Sequence, residues 1–310
     1  MGHKYTEGSF TSTDGSSRIS YYTWEPEGGS PRALLQICHG MNEYIGRYGE
    51  FASYLADAGI VVCGHDHIGH GPGTPDDMLG HIPRRTGVGT LVGDLHKMTL
   101  TMKERFPGLR VFLLGHSMGS FIARLCITEH GSDYAGVILS GTGGPGQPTA
   151  AGRLLARLVG IGSGGRRRSK LIDSVAFGSY SKSFGGEKFA WISSDVAVVE
   201  KYKKDKYCTS FIFDTDAFYI LFDMLGRVSS RLWATKVPKE LPVLLASGCD
   251  DPVGNYGRGV REVWRRLLEA GVRDLTLKLY PGMRHEILNE VERREVYDYL
   301  LGWLNERIET

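Results

Sequence analysis

Short, near-continuous apolar runs recur along this chain, and helical stripes separate them. Residues 33–38, 60–63, 110–114, 137–140 and 241–246 are solidly apolar rather than alternating. A strand that faces water on one side alternates, so these runs point to a mostly parallel sheet buried between two layers of helices. Residues 18–24 and 275–280 complete the strand set. Between them, Tyr48, Phe51, Ala52 and Leu55 fall on one helical stripe, as do Leu91, Leu95, Met98 and Met102. Residues 121–127 read as a further helix, and two C-terminal stripes follow, Val260, Val263, Trp264, Leu267 and Leu268, then Val296, Leu300, Trp303 and Leu304. No run reaches the roughly 18 apolar residues of a spanning helix.

The rhythm breaks over residues 146–236. That stretch opens with Gly-, Pro- and Ser-rich sequence and holds several helical patterns but no buried strand. It reads as a helical cap inserted between two parts of one core, residues 1–145 and 237–310. Composition fits a globular protein: 41% of the 310 residues are hydrophobic, 23% are charged, and the net charge is +2. A balance so near zero argues against a nucleic-acid binder, which needs a strong positive field. The polar N-terminus has no secretory h-region. The five cysteines, Cys38, Cys63, Cys126, Cys208 and Cys249, lack C-x-x-C spacing and read as free thiols. Both features point to the cytoplasm.

Gly115-His116-Ser117-Met118-Gly119 follows an apolar run and opens a helical one. A G-x-S-x-G turn between strand and helix pushes its serine out at the carboxyl end of a sheet. The bare pentapeptide also fits a glycine-rich turn with a spectator serine. A serine at neutral pH needs a base, and the base an orienting carboxylate, in the chain order Ser, acid, His. Gly248-Cys249-Asp250-Asp251-Pro252 and Gly282-Met283-Arg284-His285 follow the last two strands, so all three groups arrive at one edge of the sheet. Asp250 and Asp251 compete for the acid role; the spacing G-x-x-D from Gly248 favours Asp251, and turn chemistry suits Asp250. A backbone N–H of His39-Gly40-Met41, with that of Met118, offers an oxyanion hole. Glu43 and Arg47 stand i, i+4 and read as a structural ion pair.

His39-Gly40-Met41-Asn42-Glu43-Tyr44, Arg47-Tyr48, Asp66-His67-Ile68-Gly69-His70-Gly71 and the serine pentapeptide together resemble the monoacylglycerol lipase and lysophospholipase branch of the α/β-hydrolases. The likeness extends over nearly the whole chain, including residues 191–195 and 202–208. It implies an α/β-hydrolase fold: an eight-stranded, mostly parallel sheet, helices on both faces and a helical lid. It also implies a serine esterase acting through an acyl-enzyme on monoacylglycerol- or lysophospholipid-like lipids or on short- to medium-chain acyl esters. Ser117 is then the nucleophile, Asp251 the acid, His285 the base, and the N–H groups of Met41 and Met118 the oxyanion donors, with no cofactor or metal. Gly71-Pro72-Gly73-Thr74 and Tyr44 depart from the family pattern near the expected pocket entrance and bear on substrate identity.

Other readings compete. His65-Asp66-His67-Ile68-Gly69-His70 resembles a dinuclear zinc motif but has Gly69 where a carboxylate is needed. Gly141–Gly146 matches G-x-G-x-x-G, yet Pro145 and Pro148 oppose the helix that should follow. An aminopeptidase-type amide hydrolase uses the same scaffold. A non-catalytic binding protein would be expected to lack one of the three groups, and all three are present. Epoxide hydrolysis needs a carboxylate where Ser117 stands. Finally, Arg153, Arg157, Arg166, Arg167, Arg168 and Lys170 interleave with Leu154, Leu155, Leu158, Val159 and Ile161 without an acid. One reading is transient docking on anionic membrane or lipid aggregates. The plainer one, preferred on sequence, is a lid helix with its apolar face over the pocket. Cys249, beside the acid loop, is either a point of thiol inhibition or a buried bystander. The oligomeric state is left open.

Overall fold

Apolar runs become strands because both of their faces are covered. A computed structural model describes residues 2–85, 87–146 and 148–309. The chain runs β1 (His3–Thr11), β2 (Arg18–Pro26), β3 (Ala33–Cys38), α1 (Gly49–Asp57), β4 (Ile60–His65), α2 (Gly87–Arg105), β5 (Val111–His116), α3 (Met118–His130) and β6 (Gly136–Ser140). Six helices follow: α4 (Thr149–Val159), α5 (Lys170–Phe177), α6 (Val196–Lys204), α7 (Lys206–Thr209), α8 (Thr215–Ser229) and α9 (Leu232–Thr235). The chain then returns through β7 (Val243–Gly248), α10 (Arg258–Glu269), β8 (Leu275–Tyr280) and α11 (Arg293–Ile308).

All eight strands form one sheet in the order β1-β2-β4-β3-β5-β6-β7-β8. The pairs β1/β2 and β2/β4 are antiparallel and the remainder parallel. Every residue of β3 through β7 is buried. Along β3, Leu34 and Cys38 join the apolar cluster under α2, α3 and α10, while Leu35 and Ile37 join the cluster under α1 and α11. With two faces to fill, alternation vanishes from the sequence. Leu268 is the exception among the stripes: it is exposed on α10.

β1 carries no such signal. It is an edge strand whose residues are exposed or half-buried, paired in register from His3 opposite Pro26 to Thr11 opposite Arg18. Between β6 and β7 the described residues hold only helices and one isolated bridge, Arg168 with Asp214. Helix α8 sets Phe218, Leu221 and Met224 into the core cluster, and α4 packs against α8. Arg124 of α3 ties this layer to the core. It is fully buried, donates to Gly143 O at 3.0 Å and Val228 O at 2.6 Å, and stacks on Trp233. No helix among the described residues is long and apolar enough to cross a membrane.

Candidate active site

The loops after β3, β5, β7 and β8 leave the same edge of the sheet, because these strands are parallel. Ser117 lies between β5 and α3 with φ 51° and ψ −120°. A non-glycine residue held at positive φ costs about 1–3 kcal/mol and persists only where its surroundings fix it. Here the Ser117 N–H donates to Ser140 O at 3.0 Å, and its carbonyl accepts from the N–H and hydroxyl of Ser120. Gly119 allows the tight turn: a Cβ there would sit 2.0 Å from Cys38 O. The helix could not otherwise start so close to β3.

His285 and Asp251 meet although 34 residues apart. The imidazole Nδ1 lies 3.0 Å from Asp251 Oδ2, and both groups are buried. Asp251 Oδ1 accepts from Val253 N–H at 2.8 Å, which leaves the carboxylate one orientation. Asp250, by contrast, is exposed. Gly248 brings the two loops together, since a Cβ at that position would fall 2.1 Å from Met283 O. Burial opposes a charge on His285, but Asp251, joined by Glu286 and Glu43, outweighs it, and the imidazole is held above its ordinary value of 6.5. With Nδ1 turned to Asp251, Nε2 is available on the opposite side of the ring. Ser117 and His285 line one cavity of about 350 Å³ together with Met41 and Met118. Among the described residues no hydrogen bond joins the Ser117 hydroxyl to the imidazole. Such bonds often tighten only with substrate in place.

Three further groups escaped the sequence. Arg47 pairs most closely with Glu286, at 2.6 and 2.7 Å, and with Glu43 at 3.3 Å, so the expected i, i+4 pair is the lesser half of a triad. Glu43 also accepts from Gly40 N–H and from Tyr48 Oη, fixing the loop that carries Met41. Burial pushes Glu43 up to about 7, against the pull of Arg47. Next, residues 190–193 bond to the loop of His285. His285 N–H donates to Trp191 O, Glu286 N–H to Ile192 O, and the Arg284 guanidinium to Ala190 O and Ser193 O. The buried Glu290 carboxylate accepts from the N–H groups of both Arg284 and Ser194. No local pattern reveals contacts across 91 to 239 residues; the resemblance alone marks Arg47 and residues 191–195.

Two expectations change. Tyr44 is not among the cavity-lining residues; its hydroxyl donates to Asp205 at 2.9 Å. Helix α4 does not cover the cavity either: its Leu154 and Leu158 are exposed, as is Ile161 just beyond it, and α5 supplies Ala176 and Phe177 to the wall instead. Four of the five cysteines are buried and all are free, whereas Cys249 is half-buried. The histidines of residues 65–70 are neutral structural groups, because burial drives their pKa values down. His67 N–H donates to His39 Nε2 at 3.0 Å, which leaves His39 Nδ1–H to donate to Gly40 O at 2.8 Å. Their ring nitrogens form no three-ligand metal group among the described residues. The glycine-rich stretch after β6 packs against the start of α10, where Gly144 meets Gly259, and does not open a helix directly.

A family model described as serine aminopeptidase, S33 (Hydrolase_4), matches residues 29–292. The chain belongs to this family. It is 28% identical over 293 residues to a human monoglyceride lipase, covering 93% of this chain and 86% of that one. A monoacylglycerol lipase of Mycolicibacterium smegmatis is 27% identical, with 94% of each chain covered. Among solved structures, a thermostable carboxyl esterase of Bacillus coagulans in complex with glycerol is 30% identical, with a TM-score of 0.90 and 99% of both chains covered. The fold is that of the α/β-hydrolases.

Proposed function

We propose that this protein is a serine hydrolase that cleaves carboxylic esters through an acyl-enzyme. Its substrates are monoacylglycerol- or lysophospholipid-like lipids, or acyl esters of short to medium chain. One observation carries the reading: a buried histidine–carboxylate pair opens on the same cavity as a serine held in a strained turn after a strand. His285 takes the Ser117 proton as the oxygen attacks the ester carbonyl. The Met41 and Met118 N–H groups receive the oxyanion, Met118 as the first residue of α3, where helix N–H groups have no partner within the helix. His285 then protonates the leaving alcohol, which departs, and later activates the water that releases the acid. Asp251 fixes the imidazole tautomer throughout. No cofactor enters this scheme.

The cavity suits an ester with an apolar acyl group and a small polar alcohol. Phe121, Phe177, Leu221, Phe222 and Leu225 supply apolar wall from α3, α5 and α8. Asn42, Glu43 and Glu286 supply polar wall from the loops after β3 and β8. Lipid esters are named substrates of the human and mycobacterial relatives, and ester cleavage is in the name of the Bacillus protein. The family description favours a second reading, an aminopeptidase. That activity needs a carboxylate to hold a substrate ammonium: Glu43 and Glu286 are both engaged by Arg47, which leaves Asp173 of α5 as the cavity-lining carboxylate for that role. A panel of nitrophenyl esters of graded length, monoacylglycerols, lysophospholipids and amino-acid amides tests the choice. Turnover of esters with little on amides is expected; preference for amides would replace the assignment. A fluorophosphonate probe that fails to label the protein would instead favour a binding protein.

Residues 146–236 form the cap in this reading, and its outer face makes transient contact with anionic lipid aggregates. Leu154, Leu158, Ile161, Leu171 and Val175 are exposed beside the exposed cations Arg157 and Lys170. Arg153 is not available, being paired with Asp223 at 2.6 Å. Arg166, Arg167 and Arg168 reach backbone carbonyls nearby. Co-sedimentation with anionic liposomes at low salt is expected; its absence ends this part of the proposal.

A further inference from the structure

We infer that His96, His130 and Asp133 form a binding site for a zinc-class divalent ion, remote from the cavity. One ring nitrogen of each histidine and one carboxylate oxygen lie within 4.8 Å of one another. They come from three elements: the middle of α2, the last residue of α3, and the turn at Gly131–Asp133 that leads towards β6. Two imidazoles and one carboxylate are a donor set suited to zinc. With bonds of about 2.0–2.2 Å it closes as a tetrahedron with a water in fourth place. Hard cations such as magnesium prefer oxygen ligands and do not match it.

The present contacts show what must move. His96 Nε2 lies 2.9 Å from Asp133 Oδ2, the oxygen an ion would take. Lys103 holds the other oxygen at 2.7 Å and keeps the carboxylate aimed at the site. Glu129 stands 4.0 Å from the His130 ring and adds a negative charge at its rim. The two rings are stacked, with centroids 3.6 Å apart and planes within 6°. A single ion must lie near the plane of each ring it binds, so the stack opens by rotation of the rings. All three side chains are partly exposed and have room to turn.

Helix α3 places this site far from Ser117. Its 13 residues rise about 20 Å at ~1.5 Å each, with Ser117 before one end and His130 at the other. The ion would clamp α2 to the end of α3, stabilising the folded chain by mass action without touching the cavity. The test uses the full chain without an affinity tag, stripped by a chelator and titrated with zinc chloride in a calorimeter. One zinc per chain is expected, together with a higher melting temperature. Magnesium should do neither. His96→Ala and His130→Ala should each weaken zinc binding by about 10-fold or more. Both variants should melt like the wild type in chelator, which separates lost ligation from lost folding. Absence of zinc binding, or affinity unchanged in both variants, would overturn the inference.

Discussion

The edge of the sheet that bears Ser117 and the outer layer of helices above it are built to different standards. Around Ser117, β3, β5, β6 and β7 bury every residue, and the loops leaving them are fixed by hydrogen bonds. In the outer layer, α4 and α5 each bury a single residue, Ala156 and Ile172, and leave Leu154, Leu158, Leu171 and Val175 exposed. A buried side chain of that size contributes roughly 1.5–3 kcal/mol, so these helices forgo what the strands collect. Helix α8 lies between the two extremes, with seven buried residues facing the core. The proposed chemistry therefore sits on closely held parts, beside outer helices that are held by few buried contacts. Few buried contacts and exposed apolar surface mark the low-stability end of a structure, where binding segments are found.

The sharpest way to break this contrast is to disturb the rigid side. Asp251→Asn should lower kcat by about 10⁴-fold, because the imidazole loses its tautomer. Asp250→Asn, one residue away but exposed, should change it only a few-fold. The reverse result would move the acid to Asp250. The pH profile carries the same information. Asp251 favours protonated His285, and only the neutral ring can accept the Ser117 proton. kcat/KM should therefore rise with pH on an acid limb that lies above the ordinary histidine value of 6.5. A limb at or below that value would contradict the pairing.

Glu290→Ala tests the seam between the two regions. It strips the partner from the N–H groups of Arg284 and Ser194. A loss of at least about 2 kcal/mol in unfolding free energy is expected. A drop in kcat of roughly 10-fold should accompany it as the base loop loosens. Full activity in a destabilised protein would show that the seam serves folding alone. The smallest effect is expected on the loose side. Leu154→Ser with Leu158→Ser should leave turnover of a soluble short-chain ester within about 2-fold, since exposed positions seldom matter to folding. Binding to anionic vesicles should fall. Amide exchange should be faster in α4 and α5 than in α3, and equal protection would erase the contrast.

How well each region could be read from sequence follows the same division. Strands β3 through β7 declare themselves because burial on two faces leaves room for few polar residues, and Gln36 of β3 is taken in with a hydrogen bond to Leu95 O and one from Thr99 Oγ1. The G-x-S-x-G turn is legible because Gly119 answers a local steric need against Cys38 O. His285 and Asp251 could be placed at the right edge from strand order alone. β1 is not legible because an edge strand with no fully buried residue, and with Thr6, Gly8 and Phe10 on its half-buried face, shows no apolar period. The Arg47–Glu286 pair and the bond from Ser194 to Glu290 escaped because each joins residues distant along the chain. The orientation of α4 went wrong for a related reason. A mixed stripe of leucines and arginines does not say which neighbour it meets, and α8 took Leu155 and Val159 while Leu154 and Leu158 were left outside.

Intact-protein mass spectrometry after exposure to a fluorophosphonate puts the whole scheme at risk most directly. A single adduct that maps to Ser117, forms rapidly in the wild type, and is lost in Ser117→Ala and slowed in His285→Ala is the predicted result. An unlabelled wild type, or an adduct that persists in Ser117→Ala, would leave the fold standing and remove the serine from its chemistry.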